Sequence, residues 1–211
     1  MASGETGAAE RPGLSVCLFC GSSDRVSPAY LEAAEQFGRT LAAEGARLVY
    51  GGGGVGLMGA AARSAHAAGG AVLGVMPDFL RRHEVIYDEV ETVVVSNMHQ
   101  RKMRMFEESS AFAIFPGGIG TLEEVIELLS WRRLDLHRKP IVFLNMGGFW
   151  EPLYALMRHI IAEKAMPDWM PDTWASVESV DQVLPAIHRL REAAASGPGF
   201  LGYPDELAQK A

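Results

Sequence analysis

The sequence predicts a three-layer α/β fold, in which helices cover both faces of a doubly wound parallel sheet of about seven strands. Three observations carry that reading. Short apolar runs alternate with helix-like segments along the chain. Each run is apolar throughout, as suits a strand buried on both faces. Several runs end in glycine-rich turns, which places ligand-binding loops at the carboxyl ends of the strands.

The elements follow in order. Ser15 to Phe19 is the first strand, and Gly21-Ser22-Ser23-Asp24 is a turn rich in small donors. Pro28 opens a helix through Leu41, with Leu31, Ala34, Phe37, Gly38 and Leu41 at helical spacing, and Gly45 ends it. The second strand, Arg47 to Tyr50, runs into the cluster Gly51 to Gly59, and an alanine-rich helix continues to Ala68. Ala71 to Met76 is the third strand, and a polar loop carrying Asp78, Arg81, Arg82, His83 and Glu84 follows it. Glu91 to Val95 is the fourth strand, Met98 to Glu107 a helix, and Ala111 to Phe115 the fifth strand. The helix after it continues to Trp131, with Pro140 to Leu144 as the sixth strand. Phe149 to Ala162 is helical, Met166 to Trp174 is irregular, Trp174 to Val177 is a short seventh strand, and Val180 to Ala193 is the last helix. This organisation is Rossmann-like, with one nucleotide-binding domain over 14–195, a disordered arm at 1–13 and a mobile tail at 196–211.

Length and composition bound the function. An apolar content of 48% in 211 residues supports one α/β domain with a full core. The 19 basic and 26 acidic residues give a net charge of −7 with no long basic run, so nucleic acid is not the expected partner. No apolar stretch approaches the roughly 18 residues of a membrane span, and the first residues lack an apolar signal core. The expected location is cytoplasmic. Cys17 and Cys20 form C-x-x-C, but inside an apolar strand they read as core packing rather than a redox pair. The histidines lack metal-ligand spacing, so no metal is expected.

The most informative stretch is Phe115-Pro116-Gly117-Gly118-Ile119-Gly120-Thr121-Leu122-Glu123-Glu124, a strand-to-helix turn. The first amides of a helix have no partners inside it and carry partial positive charge, so Gly117 to Thr121 read as a phosphate cradle. The carboxylates that follow have two readings. Thr121 to Glu124 also fits a capping box, with Glu124 bonding back to the backbone of Thr121, and the residues alone leave both open. In Met98-His99-Gln100-Arg101-Lys102, Met98, Met105 and Phe106 can point into the core while 101, 104 and 108 share a face. Arg101 begins its helix beside the cradle and is suited to phosphate or sugar hydroxyls. Two overlapping G-x-G-x-x-G matches lie after the second strand rather than the first, which argues against a dinucleotide site. No lysine follows either cluster as a P-loop requires, and none sits where a pyridoxal phosphate decarboxylase would hold its cofactor.

Together, Cys20-Gly21-Ser22-Ser23, Tyr50-Gly51-Gly52-Gly53, Gly56-Leu57-Met58-Gly59, Met98-His99-Gln100-Arg101-Lys102 and Pro116-Gly117-Gly118-Ile119-Gly120-Thr121-Leu122-Glu123-Glu124 resemble the LONELY GUY family, over about Val16 to Val177. That resemblance implies a cytokinin riboside 5′-monophosphate phosphoribohydrolase that uses no cofactor and acts on AMP or N6-modified AMP. It implies catalytic roles for Arg101 and Glu124. Lys102, Gly117 to Glu123, Glu84 and Ser130 match nucleotide-contacting positions, and Gly21, Ser22 and Met98 belong to the same expected site. It implies a homodimer or higher homo-oligomer. Carriers of nucleotides or the molybdenum cofactor share the fold and are the alternative. Relatives often carry W-x-Q-L-G-x-H-x-K-P, where Arg133 and Asp135 stand here in place of the amide and glycine, a change expected at the rim of the site.

Overall fold

The computed structural model describes residues 13–82 and 85–196. Apart from Gly13 and Ser196, the expected arm and tail lie outside the described residues, as does Glu84. Seven strands form one sheet in the order β4-β3-β2-β1-β5-β6-β7, and every neighbouring pair is parallel. They are β1 (Ser15–Phe19), β2 (Arg47–Tyr50), β3 (Val72–Pro77), β4 (Glu91–Val95), β5 (Ala111–Ile114), β6 (Ile141–Leu144) and β7 (Ala175–Val177). The helices are α1 (Pro28–Ala43), α2 (Gly56–Ala67), α3 (Met98–Glu107), α4 (Ile119–Arg133), α5 (Glu151–Ala162) and α6 (Val183–Ser196).

Alternation along β1 splits the core into two. Val16, Leu18 and Cys20 face a cluster built with Phe37 and Leu41 of α1, Leu57 and Ala61 of α2, and Ile187 of α6. Cys17 and Phe19 face the other layer, with Met105 of α3, Val125 and Leu128 of α4, and Met157 of α5. The two thiols therefore lie in different clusters, both free and buried, and burial first, then the charge of Glu124, raises their pKa values well above the ordinary thiol range. That geometry suits packing and not a redox pair.

Several elements differ from the sequence reading, three of them for identifiable local reasons. α5 starts two residues later than expected, after a 3₁₀ turn at Met146–Gly148 in which Gly147 has φ 63° and Asn145 Oδ1 accepts from Trp150 N at 2.7 Å. The last helix is broken into a 3₁₀ turn, Val180–Gln182, and α6. Pro185 has no N–H to give to the carbonyl of Asp181, so one continuous α ladder cannot form there. Met166 to Trp174, expected to be irregular, contains the 3₁₀ turn Met170–Thr173.

The α1–α2 layer is packed backbone to backbone. A Cβ on Gly38 would lie 2.3 Å from Ala61 O and from Ser64 Oγ, and Ser64 Oγ itself donates to Glu35 O at 2.7 Å. Gly38→Ala should destabilise the fold by about 2 kcal/mol, despite the better helix propensity of alanine, because the helices must separate. Urea unfolding checks this, and an unchanged or higher midpoint would refute it.

Candidate active site

The chain leaves β1 for β2, β3 and β4 on one side, then returns to β5 on the other side of β1. The crevice beyond the carboxyl ends of β1 and β5 is thus the point where the strand order reverses, the place where such sheets bind ligands. Gly21 fastens the loops there. Its N–H donates to Pro116 O and its carbonyl accepts from Leu57 N, each at 3.0 Å. A Cβ on Gly21 would lie 3.4 Å from the Cα of Gly117. Gly56, with φ 61°, has no room for a side chain, since a Cβ would come within 2.5 Å of the Ser22 carbonyl carbon.

Two helices begin at this crevice with different ends. The first amide of α2, Gly56 N, donates to Asp24 Oδ1 at 2.7 Å, so a carboxylate already occupies that N-terminus. α4 has Gly118 as its N-cap and no side-chain cap, and its first internal bond runs from Leu122 N to Gly118 O. The amides of Ile119, Gly120 and Thr121 therefore have no partner within the helix. Gly118, Ile119 and Gly120 are exposed. Thr121 is buried against Gly117, where a Cβ would lie 2.1 Å from Thr121 Oγ1. The capping-box alternative fails because the helix starts before Thr121, which leaves Glu124 a full turn inside it. Glycine at the N-cap gives no side-chain signal, which is why the start reads later from sequence.

Arg101 is 7% exposed, so the shared solvated face of α3 does not include it. Its Nη2 donates to Gly51 O at 2.8 Å and its Nε to Val75 O at 3.2 Å, at the carboxyl ends of β2 and β3. A Cβ at Gly51 would fall 2.0 Å from Nη2, so this glycine keeps the space the guanidinium fills. Met98 is 37% exposed rather than in the core, with its Sδ 3.9 Å from Arg101 Nη1. Lys102 Nζ pairs with Glu123 Oε1 at 2.5 Å and Glu127 Oε2 at 2.9 Å. Burial opposes its charge, but the hydrogen bonds and charges of those two carboxylates outweigh burial and raise its pKa.

Glu124 shares a narrow cleft with Phe19, Lys102, Phe106, Phe112, Glu127, Leu128 and Trp131. Burial raises its pKa to about 7; the charges of Arg101 and Lys102 pull it down, and Glu123 and Glu127 push it up. A carboxyl poised near neutrality beside a fixed cation is a frequent feature of catalytic sites.

Other expected residues are not brought together. Ser130 lies on α4, about 18 Å along the helix from Gly118 at ~1.5 Å per residue, and its Oγ donates to Ile126 O at 2.7 Å. Arg133 and Asp135 also lie at the far end of α4, so they are not at the rim of this crevice. Asp135 has φ 57°, a left-handed position after the helix where glycine is usual and aspartate tolerable, and it pairs with Arg138. His137 is structural. Its Nε2 donates to Leu128 O and its Nδ1 accepts from Lys139 N, which fixes the neutral tautomer, and burial lowers its pKa to about 4. Val85 O accepts from Gly54 N at 2.7 Å, which ties the loop after β3 to the first glycine cluster. Sequence reasoning passed over Asp24, whose partner is thirty-two residues away.

Comparison with known proteins bears on the family and the fold. A family profile described as "Possible lysine decarboxylase" matches residues 58–187. Rice (Oryza sativa subsp. japonica) LOGL5, a probable cytokinin riboside 5′-monophosphate phosphoribohydrolase, is 45% identical over 70% of this chain and 61% of its own length. LOG7 of Arabidopsis thaliana, named a cytokinin riboside 5′-monophosphate phosphoribohydrolase, is 43% identical over 70% of this chain and 69% of its own. The chain belongs to the LONELY GUY family. It spans about three fifths of the rice relative's length. Among solved structures, the molybdenum cofactor binding protein from Rippkaea orientalis superposes with a TM-score of 0.64 at 23% identity, over 87% of this chain and 99% of that one. The molybdenum cofactor carrier protein from Chlamydomonas reinhardtii gives 0.63 at 20% identity, over 85% and 98%. At that identity the likeness concerns the fold. Neither lysine of the LONELY GUY motifs is free for a decarboxylase cofactor: Lys102 is ion-paired, and Lys139 Nζ bonds Phe106 O and caps its ring at 3.8 Å.

The raised pKa of Glu124 has a consequence for stability. Its folded value lies above the ordinary 4.5, so its burial is harmless below about 4.5 and becomes a cost as pH rises through about 7. Glu124→Gln, neutral at every pH, should be more stable than the native chain at pH 8 by something of the order of 2 kcal/mol, with the gap closing near pH 4. Urea titrations at the two pH values check it, and a pH-independent difference would contradict the assignment.

Proposed function

We propose that the protein hydrolyses the N-glycosidic bond of adenine-type nucleoside 5′-monophosphates, cytokinin ribotides included, releasing free base and ribose 5-phosphate. The carrying observation is the uncapped start of α4 one turn from Glu124: an anion cradle and a near-neutral carboxyl on a single rigid helix. The names of the family's plant relatives support the same reaction.

The 5′-phosphate accepts from the amides of the Gly117 to Thr121 stretch. Arg101, locked by two carbonyls, offers its remaining Nη1 to the ribose or its phosphate. The bond from ribose C1′ to the base nitrogen breaks with its electron pair leaving on the base, and positive charge develops on the sugar. Ionised Glu124 stabilises that charge as it appears. Water oxygen joins C1′, its proton passes to Glu124, and the base takes up a proton. Lys102 and Glu123 flank the phosphate, while Gly21, Ser22, Leu122 and Met98 complete the nucleotide's surroundings. The substrate is a small nucleotide, with no metal or cofactor in any step. Two free buried thiols accord with a reducing, cytoplasmic setting.

The chain works as a homodimer or higher homo-oligomer. Supporting this, an apolar groove of about 180 Å³ lies between α4 and α5, lined by Ile126, Leu129, Leu153, Leu156, Ile160 and Trp174, and Ile126 and Leu156 are 47% and 54% exposed. Ser130 lines the same groove, so a second copy gives it a route to a nucleotide that its own chain does not. Leu156→Glu should dissociate the assembly in sedimentation velocity; unchanged sedimentation would move the interface elsewhere.

For the reaction, AMP and isopentenyladenosine monophosphate are incubated with native protein and with Glu124→Gln. Native protein should release base and ribose 5-phosphate, the variant should lose about 100-fold or more, and adenosine should remain intact because binding of the phosphate fixes the geometry. The rate should climb as pH rises through about 7, where Glu124 ionises. Binding of both nucleotides without release would instead support a carrier.

A further inference from the structure

The two helix ends at the crevice differ in charge as well as in capping. Val55, the N-cap of α2, has no side-chain acceptor, and the amide of Gly56 is satisfied from a distant turn by the exposed Asp24. That turn starts at Gly21, which bonds Pro116 on one side and Leu57 on the other, so it connects the start of α2 to the backbone just before the α4 cradle. Serine and asparagine cap helices as well as aspartate does. A full negative charge is more than the cap requires.

Resting on the monophosphate reading above, we propose that Asp24 is a specificity-determining residue that confines the site to singly phosphorylated nucleotides. The α4 cradle takes one phosphate. A second phosphate, or the far half of a dinucleotide, extends into the crevice and meets a like charge. It also finds the neighbouring helix end already filled. Rejection by an unfavourable charge is a common source of specificity where attraction alone discriminates poorly. It also accounts for glycine-rich loops that match a dinucleotide fingerprint in a chain whose α2 start is closed to a pyrophosphate.

The test compares kcat/KM for AMP and ADP in the native protein and in Asp24→Asn, which keeps the acceptor for Gly56 N and removes the charge. AMP turnover should stay within about twofold. ADP turnover should rise by about tenfold, the scale of one like-charge contact partly screened by water. Native discrimination should also weaken as salt is raised. Asp24→Ser provides the same comparison should the asparagine variant fold poorly. An unchanged ADP-to-AMP ratio in the neutral variants, with both rates equal to native or falling together, would reduce Asp24 to a cap and overturn the proposal. If the native protein cleaves neither nucleotide, the hydrolase reading fails separately. Calorimetric affinities for AMP and ADP then report the same ratio.

Discussion

One backbone junction holds the site together. The amide and carbonyl of Gly21 bond Pro116 and Leu57, so the loops after β1, β2 and β5 cannot move independently. Sheet order alone brings those strand ends near one another; the junction turns nearness into fixed geometry. α4 starts directly beyond it, and Arg101 reaches the ends of β2 and β3 from the other side. Every group in the proposed chemistry is therefore referred to the carboxyl edge of the sheet, and a site referred to strands and helices is held more precisely than one on free loops.

The electrostatics follow from that rigidity. Arg101 is buried without a carboxylate inside ion-pair distance among the described residues, its charge met by carbonyl dipoles. Glu124 is held among aromatic side chains, where ionisation is costly at neutral pH. A directly paired arginine and glutamate would neutralise each other and leave little for a substrate. Here both remain available, and the fold is less stable for it, as is common where function requires unfavourable placement.

Much of the fold was legible because it rests on local chemistry. β1, β2 and β4 match their apolar runs residue for residue, and the glycine turns fall where strands must hand over to helices. Legibility failed where distance along the chain misrepresents distance in space. Arg133, Asp135 and Ser130 follow the phosphate motif closely, yet a straight helix carries them about 20 Å away at ~1.5 Å per residue. Asp24 and Gly51 have partners thirty-two and fifty residues off, and no local pattern marks such pairs. Arg101 carries two readings in the sequence, a charged helix face and a role at the site, because helical spacing alone cannot tell a solvated cation from one buried against strand ends.

The central claim is that the open start of α4, and not that of α2, receives the phosphate. Backbone amide ¹H–¹⁵N spectra of the native protein titrated with ribose 5-phosphate test it directly. Large, saturable shifts confined to the amides of Gly118 to Thr121, with Gly56 and Leu57 unmoved, are the expected result. Shifts centred on Gly56 and Leu57, with residues 118–121 silent, would contradict it.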